Sequence, residues 1–183
     1  MVVVLTNELG TVLLRKAQKY MARKKLTPSF HEAVFEGQVD LVTEMLEVDP
    51  MLAVTAKQDG TQAIHLLNTC AADEILDLLL SHGADVMSRN KGGVTPLHTV
   101  IDEDAGLKLI ANGADVNATD LRGLTPLMSI AEQPQHSLPI AMVLIKAGAE
   151  LANRDQAGRT ALDIAQSNGA HELTHLFMKA GAL

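Results

Sequence analysis

Four glycines, Gly60, Gly93, Gly123 and Gly158, each open a turn-then-helix phrase, and the phrases read GTQAIHLL, GVTPLHTV, GLTPLMSI and GRTALDIA. A second series, HGADV, NGADV, AGAEL and AGAL around Gly83, Gly113, Gly148 and Gly181, closes each unit 20 to 25 residues later. The first series is spaced by 33, 30 and 35 residues and the second by 30, 35 and 33. One three-residue deletion between Gly93 and Gly113 and one two-residue insertion between Gly123 and Gly148 account for both series. A unit of this length cannot bury its own apolar face, so neighbours must stack into one continuous core. The chain is thereby committed to a quasi-one-dimensional solenoid.

Each unit reads as a pair of helices. Thr95-Pro96 and Thr125-Pro126 place a capping hydroxyl before a proline at the first helical turn, where its missing N–H is not needed. Leu97, Leu127 and Leu162 should then face inward, followed by apolar residues at helical spacing such as Ile75, Leu78, Leu79, Val143 and Leu144. Gly83, Gly113, Gly148 and Gly181 stand where a left-handed helix stop is expected. Aromatic residues are only 2% of the chain and Trp is absent, so the core must be built from Leu, Ile, Val, Ala and the eight Met. That composition favours helices over sheets.

The phrase Thr95-Pro96-Leu97-His98 and the run Gly113 to Asn117, GADVN, resemble the ankyrin repeat. The resemblance spans residues 29–183 as about five repeats, near 29–56, 57–89, 90–119, 120–154 and 155–183. It implies an all-α solenoid of helix-turn-helix units with short hairpin tips. In that family the imidazoles of His65 and His98 would tie the turns of adjacent repeats by hydrogen bonds. Three departures stand out. The third repeat should connect its helices by a tight acidic turn, IDEDAGLK, and the fourth by a longer loop marked by Pro134 and Pro139. The first repeat lacks Thr-Pro and ends in Asp-Pro, as a degenerate cap would.

Residues 1–28 form a basic, amphipathic N-terminal segment. Within 9–26, Leu9, Leu13, Ala17 and Tyr20 share one face and Arg15, Lys16, Lys19 and Arg23 point away, which suits a helix covering the free edge of the solenoid. The alternatives for the basic run are an anionic partner, a membrane surface or a nuclear import signal.

Charge narrows the function. Residues 1–25 hold six of the 15 Lys and Arg and only one acid, Glu8, so the body of the chain carries nine basic against 21 acidic side chains. An acidic body with so few aromatics has neither the clustered cations nor the stacking platforms of a nucleic-acid groove. No run is long enough to span a bilayer, and Val2 to Leu5 is too short for a signal sequence. A single cysteine, Cys70, fits a cytoplasmic, reducing setting.

His171-Glu172-Leu173-Thr174-His175 spells the HExxH signature of zinc proteases. The same letters fit the second helix of a last repeat, with His171 and His175 outward and Leu173, Leu176 and Phe177 inward. None of residues 176–183 is His, Asp or Glu, so a third protein ligand is not available locally. The zinc hydrolase is therefore the discarded reading. His82 precedes a glycine stop, where it suits the helix dipole. Cys70 lacks a nearby cation to activate it, and Asp102-Glu103-Asp104 do not converge on one point. No phosphate loop or nucleophile elbow occurs. The expectation is a non-enzyme without metal or cofactor.

Function must then lie in the surface that stacking creates. The resemblance implies a concave face of hairpin tips and first helices that binds another protein. The positions free of stacking duty include Lys91, Val94, Asp102 and Glu103 in the third repeat, Leu121, Arg122, Leu124, Glu132 and Gln133 in the fourth, and Gln156 and Arg159 in the fifth. Gln58, Asp59, Thr61, Ser167 and Asn168 belong to the same set. Leu121 and Leu124 around Arg122, with Val94 one repeat earlier, read as an exposed apolar strip bordered by acids, fit for a partner with some basic surface. An inhibitor or immunity-type protein and an adaptor both match this class. The short length favours the inhibitor, and a monomer is expected unless Phe177 and Leu183 form a dimer contact.

Overall fold

The structure is a computed structural model that describes residues 28–67, 71–133 and 138–181. The expected N-terminal helix, Cys70, the Pro134 turn and Leu183 lie outside these residues. Among the described residues the chain is helical, with one isolated antiparallel bridge between Ala56 and Gln62.

Two layers run along the solenoid. One is made by the first helix of each repeat, Phe30–Phe35, the 3₁₀ turn Ala63–Leu66, Pro96–Thr99, Pro126–Glu132 and Ala161–Ser167, each packed on the next. The other is made by the second helices, Val39–Val48, Ala72–Ser81, Glu103–Ala111, Leu138–Lys146 and His171–Gly181, stacked in the same order. The core lies between the layers as one continuous apolar cluster from Phe30 to Phe177. Leu97, Leu127, Ile75, Leu79 and Leu144 are fully enclosed, as their spacing predicts. Leu78 and Leu162 are only half-buried, because they sit at the margin of the cluster.

Local chemistry sets the helix starts. Thr160 accepts a hydrogen bond from the Asp163 amide and donates its own amide to the Asp163 carboxylate, a reciprocal capping box. The first repeat, without Thr-Pro, builds the same device from Ser29 and Glu32. Its second helix stops at Val48, and the Asp49 side chain then accepts from the Met51 amide to start the 3₁₀ turn Pro50–Ala53.

Two expectations are corrected. The deletion in the third repeat is taken from the first helix, not from the connection: Pro96–Thr99 has four residues where Pro126–Glu132 has seven. Val100 leaves the helix at φ −67°, ψ 135°, and Asp102 already caps the second helix by accepting from the Ala105 amide at 2.8 Å. The acids of IDEDAGLK therefore occupy a helix start, where their charge favours the dipole. Gly181 is the second correction: it is the last residue of its helix, whereas Gly83, Gly113 and Gly148 adopt φ of +84°, +93° and +93°.

Second helices approach each other closely at Gly106. A Cβ there would lie 2.2 Å from Ile140 Cδ1, so the glycine admits the isoleucine of the next repeat into the gap.

Candidate functional site

The hairpin tips Asn90–Val94, Asp120–Leu124 and Asp155–Arg159 are five-residue loops stapled by their first side chain, whereas Lys57–Thr61 is stapled by its third, Asp59, which accepts from the Thr61 amide at 2.9 Å. In Asp120–Leu124 the Asp120 amide donates to the Leu124 carbonyl at 2.9 Å, and the Asp120 carboxylate accepts from the amides of Arg122 and Leu124 at 2.8 and 2.9 Å. Asn90 and Asp155 repeat the arrangement in their own tips. Asp120 and Asp155 can be buried because each carboxylate is satisfied within its own tip, Oδ1 by the two amides and Oδ2 by the Arg122 or Arg159 side chain.

Successive tips are then laced together. The amides of Lys91, Leu121 and Gln156 donate to the carbonyls of Asp59, Gly92 and Arg122 at 2.9, 2.8 and 3.0 Å. The ladder needs Gly93, which stands at φ +75° and whose absent Cβ would fall 3.0 Å from the Leu121 amide nitrogen. It gives the tips a shared, fixed backbone.

A second set of bonds runs beneath the tips. His98 accepts from the Thr95 amide through Nδ1 at 3.2 Å, which leaves Nε2 protonated to donate to the Leu124 carbonyl of the next repeat at 2.9 Å. His65 does the same between Gln62 and Val94. Burial lowers the pKa of both imidazoles, which keeps them neutral in this role. His82 is a helix-end residue whose Nδ1 meets the Leu78 carbonyl at 2.7 Å.

The family model for ankyrin repeats in three copies matches residues 30–120 and again 102–182. The chain belongs to the ankyrin-repeat family. Ankyrin repeats mediate contacts between proteins and are typically non-catalytic. Among curated proteins, the chain is similar to the transient receptor potential cation channel subfamily A member 1 homolog of Caenorhabditis elegans, at 30% identity over 153 residues. That alignment covers 82% of this chain and 12% of the relative. It is also similar to the human 2-5A-dependent ribonuclease, at 36% identity over 65 residues, 36% of this chain and 9% of that protein. The chain thus spans a small part of both relatives.

On this ankyrin scaffold the expected strip of apolar residues is not what forms. Leu124 is 1% exposed: the hairpin bond to Asp120 and the His98 clamp draw the residue into the stack, and its side chain joins the core. Val94 is half-buried for the same reason of register. Leu121 alone stands out of the tip, 67% exposed.

The charged residues are brought together more tightly than the sequence suggests. Arg122 meets Asp120 at 3.1 Å and reaches along its own first helix to Glu132 at 3.0 Å. Arg159, one repeat on, holds Asp155 at 2.7 Å and approaches the other oxygen of Glu132 at 3.8 Å. Glu132 is therefore a bridge between two tips. Gln156 adds a bond from its side-chain amide to the Leu121 carbonyl at 2.7 Å. Gln133 and Lys91 are exposed beside this group. Asp102 and Glu103 are not part of it: they begin a second helix, Asp102 half-buried by its capping bond and Glu103 exposed.

Several linking residues carry no sequence signal. Arg89 donates to the carbonyls of Gly93 and Thr119, and Asn117 bonds both the Gly148 carbonyl and the Glu150 amide. Only the spacing of about one repeat between partners could have found them.

His171, Glu172 and His175 are exposed on the last second helix, while Leu173 and Phe177 are buried and Leu176 is half-buried. Among the described residues no group of three His, Cys, Asp or Glu is placed to hold a metal ion, and no helix is long and apolar enough to cross a membrane.

Proposed function

We propose that this chain is a non-enzymatic module that captures another protein on its tip-and-first-helix face, centred on the fourth tip. One observation carries this reading: Leu121 is 67% exposed although its backbone is pinned on both sides, by Gly92 through its amide and by Gln156 through its carbonyl. A large apolar side chain on a pinned loop costs little ordering entropy when a partner closes over it. Arg122, Glu132 and Arg159 surround it with charges already held in place by one another. An apolar anchor beside arginine is the composition that binding hot spots favour.

The partner in this reading is a folded protein or peptide with an apolar recess for Leu121 and some basic surface toward Asp102, Glu103 and the acidic body. Lys91, Val94, Gln133 and Gln156 form the rim. An inhibitor or immunity-type role, blocking the partner's own site, is the reading we favour over an adaptor linking two proteins. We place it in the cytoplasm, as a monomer.

The test is affinity capture from the native lysate with the wild-type chain beside Leu121→Ala with Arg122→Ala, followed by titration of the retained protein. Binding should weaken by at least ~2 kcal/mol with helicity unchanged. Equal affinity would remove the tip from the interface. Loss of the captured protein's activity on binding identifies an inhibitor, and retained activity an adaptor.

A further inference from the structure

The third and fifth repeats reach back to the one before them through polar side chains. Thr99 donates its hydroxyl to the His65 carbonyl at 2.9 Å, Asn168 donates its side-chain amide to the Ala131 carbonyl at 3.0 Å, and Lys108 pairs with Asp77 and lies 3.7 Å from the Asp73 carboxylate. In the first repeat these positions are carboxylates. Glu32 follows His31 as Thr99 follows His98, Glu36 precedes Gly37 as Asn168 precedes Gly169, and Glu44 falls at the place of Lys108. All three are exposed. Residues 29–56 carry six Asp or Glu and no Lys or Arg.

The same edge has an apolar centre. Leu41 is half-buried, whereas its counterparts Ile75, Ala105, Ile140 and Leu173 are at most 2% exposed. What those counterparts gain from a preceding repeat, Leu41 must gain from elsewhere. Directly upstream, residues 1–27 hold six Lys or Arg between Arg15 and Lys25 against the single acid Glu8, with Leu9, Leu13, Ala17 and Tyr20 at helical spacing.

We propose that residues 9–25 of this chain dock on the upstream edge of the first repeat, with their apolar side on Leu41 and their basic side toward Glu36 and Glu44. Individual exposed ion pairs hold such a contact weakly. The apolar contact supplies the attraction, and the complementary charge selects the orientation and makes the docking sensitive to salt. This inference is independent of the partner-binding face, which lies at the tips.

Tyr20 is the only Tyr and Trp is absent, so the intrinsic fluorescence of the full chain reports from this segment. Acrylamide quenching of Tyr20 is compared in the wild type, in Glu36→Lys with Glu44→Lys, in Lys16→Glu with Lys19→Glu, and in the chain carrying all four changes, with circular dichroism to confirm folding. The expected result is a shielded Tyr20 in the wild type, several-fold faster quenching in each charge-reversed pair, and restored shielding when both are combined. Quenching in the folded wild type as fast as in the urea-unfolded chain would overturn the proposal. Shielding that is equal in all four folded proteins would also overturn it, by placing the segment elsewhere.

Discussion

The imidazole of His98 spans two repeats, accepting from the Thr95 amide on its own side and donating to the buried Leu124 carbonyl on the other at 2.9 Å. The bond needs the neutral ring, and burial holds the pKa of His98 below 6.5, as it does for His65. The unfolded chain therefore binds these protons more strongly than the folded one. Their contribution is fully present above about pH 6.5 and is lost as pH falls through the lower folded-state values. Urea unfolding of the wild type should show falling stability between pH 7.5 and 5.5. His65→Gln with His98→Gln should flatten that slope while lowering stability at pH 7.5. Parallel slopes in the two proteins would mean that other groups carry the acid sensitivity. Paired carboxylates such as Asp163, whose pKa is lowered by hydrogen bonds from Thr160, act in the same direction but in a more acidic window.

Gly93 and Gly158 hold the same place in their tips and similar φ, +75° and +76°, yet they face different surroundings. A Cβ at Gly93 would crowd the Leu121 backbone of the next tip, and one at Gly158 would meet nothing within 4 Å. Both Gly→Ala changes incur the left-handed backbone strain of roughly 1–2 kcal/mol. Gly93→Ala should cost about 1 kcal/mol more, the scale of a broken hydrogen bond in the tip ladder. Equal losses in chemical denaturation would show that the ladder yields freely.

Asp120 and Glu132 both bind Arg122, but they should differ in their effect on stability. Asp120 is buried and accepts from two backbone amides, so Asp120→Ala leaves those donors without partners and should cost roughly 1–3 kcal/mol. Glu132 pairs with arginines whose side chains are 62% and 45% exposed, and Glu132→Gln should change stability by less than about 1 kcal/mol. A reversal of that order in thermal or urea unfolding would shift the weight of the tip from its staple to its surface charges.

Sequence determined what is carried within one repeat. The glycine series fixes the period, and Thr and Pro fix the helix starts, because caps and turns are decided by side chains within a few residues of the backbone they serve. The HExxH letters are legible as a helix face for the same reason, since Leu173 and Phe177 are spaced to be buried together.

Tertiary structure decided what depends on the neighbouring repeat. Leu121 and Leu124 are three residues apart and alike in chemistry, yet one stands 67% exposed and the other 1%, because His98 of the preceding repeat takes the Leu124 carbonyl and sets that residue into the stack. Arg122 and Arg159 look like free cations in the sequence, and stacking brings both to Glu132. Burial and charge pairing between repeats depend on distances that only the stack creates, so residue type and spacing within a repeat do not fix them.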